Sequence, residues 1–223
     1  METRYSRNIP ALTPEEQALL GQKHVFLAGC GGLGGYLLEM LLRAGVGEIS
    51  AVDADRFEES NLNRQLLCTE ETLGQRKALA AAERAKAVRP DVRFHAYDDA
   101  LDAESAPAML RRCDLALDAL DSVSARFVLA DACAAAGIPL VHGAVEGLRA
   151  QAALVMPGSD LLRRIYPAAS PAAKPGVLAP ACALCASVQA AEAIRLLCGR
   201  PPVLAGKLLW MDLETMEFRT AAL

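Results

Sequence analysis

A glycine-rich segment near the start of the chain has the residue types and spacing of a phosphate-binding turn. Its glycines follow the pattern G-x-G-x-x-G with one addition: Gly29, Gly31, Gly32 and Gly34. The segment lies between the apolar run His24–Ala28 and apolar residues with helical spacing, a context in which glycines let the backbone approach a phosphate. Asp53 ends the next apolar run, where a carboxylate can accept hydrogen bonds from ribose hydroxyls. The two features together predict a bound nucleotide.

Two other interpretations of the glycine turn stay open on these residues alone. One is a tight turn that only packs a helix on a strand, and the joint presence of the turn and the distal acid makes it less favourable. The other is an NAD-dependent oxidoreductase, because such enzymes use the same arrangement of glycines and acid.

Polar and cationic side chains follow Asp53 in a pattern unlike that of a hydride-transfer enzyme. They are Asp55, Asn61, Arg64, Gln65 and Lys77. Backbone amides largely satisfy the pyrophosphate of a dinucleotide, whereas a triphosphate with a departing pyrophosphate needs Arg and Lys to stabilise the developing charge. The sequence has no G-x-x-x-x-G-K-[ST] motif, so these residues would have to bind the phosphates. A solvated charged loop is the alternative, and we favour it for Arg76.

Asp121 is a candidate magnesium ligand. It follows the fourth apolar run, at the carboxyl end of the predicted sheet, where open α/β folds place their sites. One carboxylate is enough, because Mg²⁺ is commonly held by one or two carboxylates together with phosphates and water. Asp121 could instead, or in addition, be the N-cap of a helix that begins near Ser122. Arg126 faces the same cleft or pairs with surface acids.

Cys182 and Cys185 form a single C-x-x-C pair. The sequence has no second pair, and its histidines are scattered at positions 24, 95 and 142, so no zinc site is expected. In a helix the two thiols share one face beside small apolar residues, which favours packing over a redox role.

Short apolar runs alternate with helical patterns, which predicts a doubly wound α/β fold with a mainly parallel sheet and helices on both faces. The predicted strands are His24–Ala28, Ile49–Val52, Val92–Tyr97, Asp114–Ala119 and Pro139–His142, followed by antiparallel strands within Arg149–Met156 and Lys207–Arg219. The predicted helices are one capped by Thr13 and Glu16 that ends at Gly21, one that ends at Ala44-Gly45, Lys77–Val88, Ser122–Ala136 and about 181–198. The proline-rich stretch Gly158–Pro180 predicts a long mobile loop.

Length and composition fit one domain over residues 1–223, with an N-terminal helical arm at 1–22 and a crossover loop at 158–180. A 53% hydrophobic share with 22% charged residues excludes the disordered classes. The net charge of −4 gives no general attraction to nucleic acids or anionic membranes. Seven scattered cysteines are typical of reduced thiols, and no leader or membrane span is recognisable, so we expect a cytoplasmic protein.

Seven motifs in order give the chain a specific resemblance to the ThiF/MoeB/HesA family, the bacterial relatives of ubiquitin-activating enzymes. The motifs are Arg4–Ile9, the GCGGLG turn, Ala44–Gly47, Asp53–Asp55, Asn61–Gln65, Gly74–Lys77 and Asp118–Asp121. The match extends from Arg4 to about Ala144 and resumes at Val177. It is weak between Gly158 and Gly176.

The resemblance implies an adenylyltransferase that uses ATP and Mg²⁺. Its substrate would be the C-terminal glycine of a small ubiquitin-like sulfur carrier protein ending in Gly-Gly, in thiamine or molybdopterin biosynthesis. The resemblance also assigns roles: the four glycines, Asp53, Asp55 and Gln65 contact the nucleotide, Asn61, Arg64 and Lys77 bind phosphates, and Asp121 binds Mg²⁺. Arg7 matches an arginine that enters the neighbouring subunit's site, which implies a homodimer.

Two features of the family have no counterpart in this sequence. Many relatives carry two zinc-binding C-x-x-C pairs, and the crossover loop of some relatives carries a cysteine that bonds to the carrier. We therefore expect adenylation without a covalent carrier intermediate on that loop, and sulfur from a separate donor. The alternatives are activation of a tRNA base or a peptide, an NAD-type oxidoreductase, and a nucleotide-binding scaffold without catalysis.

Overall fold

The computed structural model describes residues 3–167 and 176–223. In chain order its regular elements are α1 Pro14–Leu20, β1 His24–Ala28, α2 Gly34–Ala44, β2 Glu48–Val52, α3 Lys77–Val88, β3 Arg93–Tyr97, α4 Ala106–Met109, β4 Leu115–Asp118, α5 Val123–Ala136, β5 Leu140–Glu146, β6 Arg149–Val155, α6 Leu161–Ile165, α7 Ala179–Leu197, β7 Lys207–Asp212 and β8 Glu217–Ala222. Two 3-10 helices add Thr3–Asn8 and Glu59–Asn61.

The strands form one eight-stranded sheet in the order β3-β2-β1-β4-β5-β6-β7-β8. The pairs from β3 to β5 are parallel, and those from β5 to β8 are antiparallel, as the sequence predicts. Strand order reverses between β1 and β4, and the crevice at such a switch point is where doubly wound folds bind ligands. The glycine turn after β1 and the turn after β4 therefore meet at one place.

Helices cover both faces of the sheet, and alternate residues of β1 enter the two cores. Val25 and Leu27 pack with α2, α3 and α7 on one face, whereas Phe26 and Ala28 pack with α4, α5 and α6 on the other. Helix α7 is apolar and long enough to cross a membrane, but it packs against α2 and strands β4, β5 and β6 as a core helix.

Local capping signals correctly predict the start of α1. Thr13 Oγ1 accepts a hydrogen bond from the Glu16 amide at 3.2 Å, and the Glu16 carboxylate accepts one from the Thr13 amide at 2.8 Å. Glu16 also pairs with Arg200, and this hydrogen bond lowers the pKa of Glu16 to about 2. The capping box therefore also ties the N-terminal arm to the end of α7.

The segment predicted as a long loop differs in part from the structure. It contains the short helix α6, whose Leu161 and Leu162 are buried, and α7 begins at Ala179. Residues 168–175 of the predicted loop lie outside the described residues. Helix α4 is a further short element that the sequence analysis does not predict.

Candidate functional site

The glycine turn after β1 is closely packed against the turn after β4. Gly29 has a φ of +96°, and a Cβ atom there would lie 2.7 Å from the carbonyl oxygen of Ala119. A Cβ atom on Gly34 would collide with the carbonyl oxygen of Gly29. Both positions therefore need glycine, one for its backbone conformation and both for the close approach of backbone.

The turn also presents donors that an anion can use. Among residues 3–167 and 176–223, no protein acceptor takes the N–H groups of Gly31 and Gly32. Helix α2 starts directly after them, and Leu33 at its N-cap makes no side-chain capping bond. Free amides at the positive end of a helix dipole fit a phosphate group.

Asp53 directly follows β2, and its carboxylate holds the glycine turn in place by a hydrogen bond. Its Oδ2 accepts a hydrogen bond from the Cys30 amide at 2.7 Å, and its Oδ1 accepts one from the Asp55 amide at 2.9 Å. Burial raises the pKa of Asp53, and the Cys30 hydrogen bond opposes that shift. A carboxylate has about four acceptor positions, so Asp53 can hold the turn and still accept from ribose hydroxyls.

Lys77, the first residue of α3, is a buried cation whose charge opposes the rise that burial causes in the pKa of Asp53. Its side chain is 8% exposed, and its Nζ lies 2.8 Å from Oδ2 of Asp55, whose side chain is 71% exposed. Arg76 differs from our preferred interpretation of a solvated residue. Its Nη1 donates to the Ala54 carbonyl at 2.7 Å and its Nε pairs with Asp98 at 3.1 Å, so Arg76 fixes the loop that carries Asp55.

Arg64 lies beside the glycine turn. Its Cγ is 4.0 Å from where a Cβ atom on Gly32 would lie, and its Nη1 donates to the Ser60 carbonyl at 2.9 Å. Asn61 is buried, and its Oδ1 accepts from the Glu58 amide at 3.2 Å, so it shapes the loop that carries Arg64.

Gln65 is buried against the same turn. Its amide group is 3.5 Å from the Cβ position of Gly31, and no described residue donates to its buried Oε1. An orphaned buried acceptor is costly, and a ligand donor would remove that cost.

Asp121 lies exposed in the turn between β4 and α5. The alternative that Asp121 is the N-cap of α5 is wrong, because Ser122 holds that position and its hydroxyl accepts from the Ala125 amide at 3.3 Å. An exposed carboxylate at the switch point suits Mg²⁺, which takes few protein ligands when phosphates supply the rest.

Arg7 is exposed in the N-terminal 3-10 helix. Its guanidinium makes no hydrogen bond or ion pair with the described part of the chain. Its assignment to a neighbouring subunit's site stays a prediction.

The cysteines of this chain are free and buried. Burial raises the pKa of Cys182 to about 11 and that of Cys185 to about 12, which agrees with the packing interpretation. Cys182 Sγ is 3.1 Å from the Cβ position of Gly32, so α7 packs directly beneath the glycine turn. In the described ranges no group of three or more His, Cys, Asp or Glu residues could hold a metal ion.

Sequence reasoning missed a buried polar cluster behind the Asp121 turn. His142 is fully buried, and its Nδ1 lies 2.7 Å from Oδ2 of Asp118, the last residue of β4. Arg126 and Tyr166 join the same cluster. The sequence signal for this cluster was the polar residue at the carboxyl end of each of two apolar runs, Asp118 in one and His142 in the other.

The fold and this site define a nucleotide-binding α/β protein of the doubly wound class, with a phosphate cradle where the strand order reverses. The chain belongs to the ThiF family, whose model matches residues 5–223.

Two relatives illustrate this membership, and one solved structure shares the fold. The sulfur carrier protein adenylyltransferase of Thermus thermophilus is 38% identical over 230 residues, covering 97% of this chain and 85% of that protein. The SAMP-activating enzyme E1 of Haloferax volcanii is 35% identical over 225 residues, covering 97% and 83%. The structure of E. coli MccB with ATP shares the fold, with a TM-score of 0.81 at 22% identity and coverage of 100% and 72%.

Proposed function

We propose that this protein is an adenylyltransferase that uses ATP and Mg²⁺ to adenylate the C-terminal glycine of a small ubiquitin-like sulfur carrier protein, releasing pyrophosphate. The observation that carries the proposal is the glycine cradle with free amides at Gly31 and Gly32, next to the cations Arg64 and Lys77. The family membership and the names of the relatives support the same reaction.

The roles of the nucleotide-binding residues follow from their places. Asp53 accepts from the ribose, and the glycine turn lies under the phosphates. Arg64 and Lys77 neutralise charge, which is the main catalytic need because a carboxylate attacks an anionic phosphorus poorly. The Lys77–Asp55 ion pair must loosen when phosphates arrive, and the high exposure of Asp55 makes that exchange easy.

Asp121 is the residue we assign to Mg²⁺, which would supply neutralisation of the phosphate charge. Arg7 completes the neighbouring subunit's site in a homodimer. We further propose a cytoplasmic enzyme of thiamine or molybdopterin synthesis that works with a separate sulfur donor, in line with seven free thiols.

The test is ATP–pyrophosphate exchange with purified carrier proteins ending in Gly-Gly, each compared with a version lacking these two residues. Exchange that needs the intact terminus supports the proposal. Arg64→Ala should cut exchange about a hundredfold or more, as for other lost electrostatic stabilisers. Arg43→Ala is the matched control, because Arg43 is an exposed arginine paired with Glu39 on α2. Normal exchange by Arg64→Ala, or nicotinamide dinucleotide binding without ATP binding, contradicts the proposal.

A further inference from the structure

The buried polar cluster behind Asp121 connects five separate parts of the fold. We call it the Asp118 network; its members are Asp118, Arg126, His142, Gln151 and Tyr166. They come from the end of β4, the first turns of α5, β5, β6 and the residue after α6. Asp118 and His142 are fully buried and Arg126 is 7% exposed. Polar atoms this deep bond mostly to each other, with Arg126 Nε the exception among the side chains of the network, and these bonds fix the geometry of the elements that carry them.

The Tyr166 hydroxyl is the shared atom of the network. It accepts hydrogen bonds from Arg126 Nη1 at 2.9 Å and Gln151 Nε2 at 2.8 Å. It also lies 3.3 Å from His142 Nε2. A hydroxyl has two acceptor lone pairs and one proton, so its proton goes to His142 Nε2. That assignment leaves the His142 proton on Nδ1, where it is donated to Asp118.

The network holds the backbone on the N-terminal side of Asp121. The Leu120 amide donates to Asp118 Oδ1 at 3.0 Å, and the Leu120 carbonyl accepts from Arg126 Nη2 at 2.7 Å. Ser122 is fixed on the other side by its capping bond. The residue between them is Asp121, so these bonds fix the backbone from which its carboxylate extends.

We propose that Tyr166 is a positioning residue for the adenylation reaction: by orienting Arg126, it holds the Leu120–Asp121 turn in the geometry that a nucleotide-bound divalent cation requires. This inference rests on the proposed function. Tyr166 does not touch the Asp121 carboxylate; it acts through Arg126, whose planar guanidinium donates to the hydroxyl with one nitrogen and to the Leu120 carbonyl with the other. Removal of the hydroxyl takes away the Nη1 bond, so Arg126 is then held towards Leu120 by its Nη2 bond and by the ion pair of its Nε with Asp118 at 3.5 Å.

The test variant is Tyr166→Phe, which removes one oxygen and keeps the ring. Binding of Mn²⁺ is measured by electron paramagnetic resonance in the presence of α,β-methylene-ATP. Binding of the same analogue without metal is measured by calorimetry. We expect the Kd for Mn²⁺ to rise about tenfold, as for a lost hydrogen bond to a charged group, while metal-free affinity changes less than twofold.

Two further variants separate positioning from general structure. Arg163→Gln is the matched control, because Arg163 lies on α6 and bonds to Asp131 of α5 at 2.7 Å without joining the network. It should leave Mn²⁺ affinity unchanged. Arg126→Lys keeps the charge but loses the planar fork, and combined with Tyr166→Phe it should cost less than the sum of the single effects.

Three results would overturn the inference. The first is unchanged Mn²⁺ affinity in Tyr166→Phe. The second is an equal loss in Arg163→Gln, which would mean that any loosening between α5 and α6 is enough. The third is full additivity of Tyr166→Phe with Arg126→Lys. Failure of the proposed function looks different, because then the unmodified protein shows neither analogue binding nor pyrophosphate exchange.

Discussion

Replacing Gly34 by alanine should damage both the stability and the nucleotide site, whereas the same change at its neighbour Gly35 should not. The two glycines open helix α2, so both substitutions gain a similar helix propensity, at most about 1 kcal/mol. They differ in what the new methyl group meets. At Gly34 it collides with the carbonyl oxygen of Gly29, which is backbone, whereas at Gly35 it lies 3.2 Å from Cγ of Leu67 and 3.3 Å from Cβ of Leu66, contacts that need only a small shift.

The expected size follows from that difference. Overpacking against a rigid neighbour costs about 1–3 kcal/mol, so Gly34→Ala should lower the free energy of unfolding by that amount relative to Gly35→Ala. The Gly29 turn must also shift, and we expect the Kd for ATP to rise at least about tenfold. Urea denaturation and calorimetry measure the two effects. Equal stability and equal ATP affinity in the two variants would refute the claim that this contact shapes the turn.

Three more predictions concern the dimer, the histidine and the thiols. Mixing inactive Arg7→Ala with inactive Asp121→Ala protein should restore partial exchange activity, and confirmed heterodimers without rescue would argue for self-contained sites. Burial holds the pKa of His142 below its usual value, so the unfolded chain binds more protons as the pH falls below about 6.5 and the free energy of unfolding decreases. A His142→Gln variant should show a shallower decrease in urea titrations, and an unchanged slope would exclude His142 as its source. The native thiols should react slowly with Ellman's reagent at pH 8, because all seven are buried; a fast stoichiometric reaction would contradict that burial.

Features set by local chemistry could be predicted from the sequence. The capping box at Thr13 and Glu16, the glycine turn and the parallel strands each depend on neighbouring residues or on short-range periodicity. The strand order confirms the fold class that these features predict, and the family model confirms the family. The assigned site residues stay predictions, but the structure brings most of them to one edge of the sheet.

Features set by tertiary contact could not be predicted. Helix α6 has only five residues, too few for a periodic signal, and the burial of Leu161 and Leu162 stabilises it. The place of Arg76 depends on Asp98 and on the Ala54 carbonyl, which are both distant in sequence. The Asp118 network joins residues up to 48 positions apart, since Tyr166 and Asp118 meet through His142 and Arg126.

The two carboxylates of the segment D-A-L-D have different roles in the fold, although the sequence alone does not distinguish them. Asp118 ends β4 with its side chain in the interior, where it accepts from His142 and from the Leu120 amide. Asp121 lies three residues later, past the end of the strand, and is exposed. Where a strand ends at a switch point, its last side chain that points into the interior can thus support the turn. The first residues of the following loop can contact a ligand. A similar division holds after β2, where Asp53 supports the glycine turn and Asp55 is largely exposed. The turns after β2 and β4 therefore each couple a partly or fully buried carboxylate that sets backbone geometry to an exposed carboxylate two or three residues later.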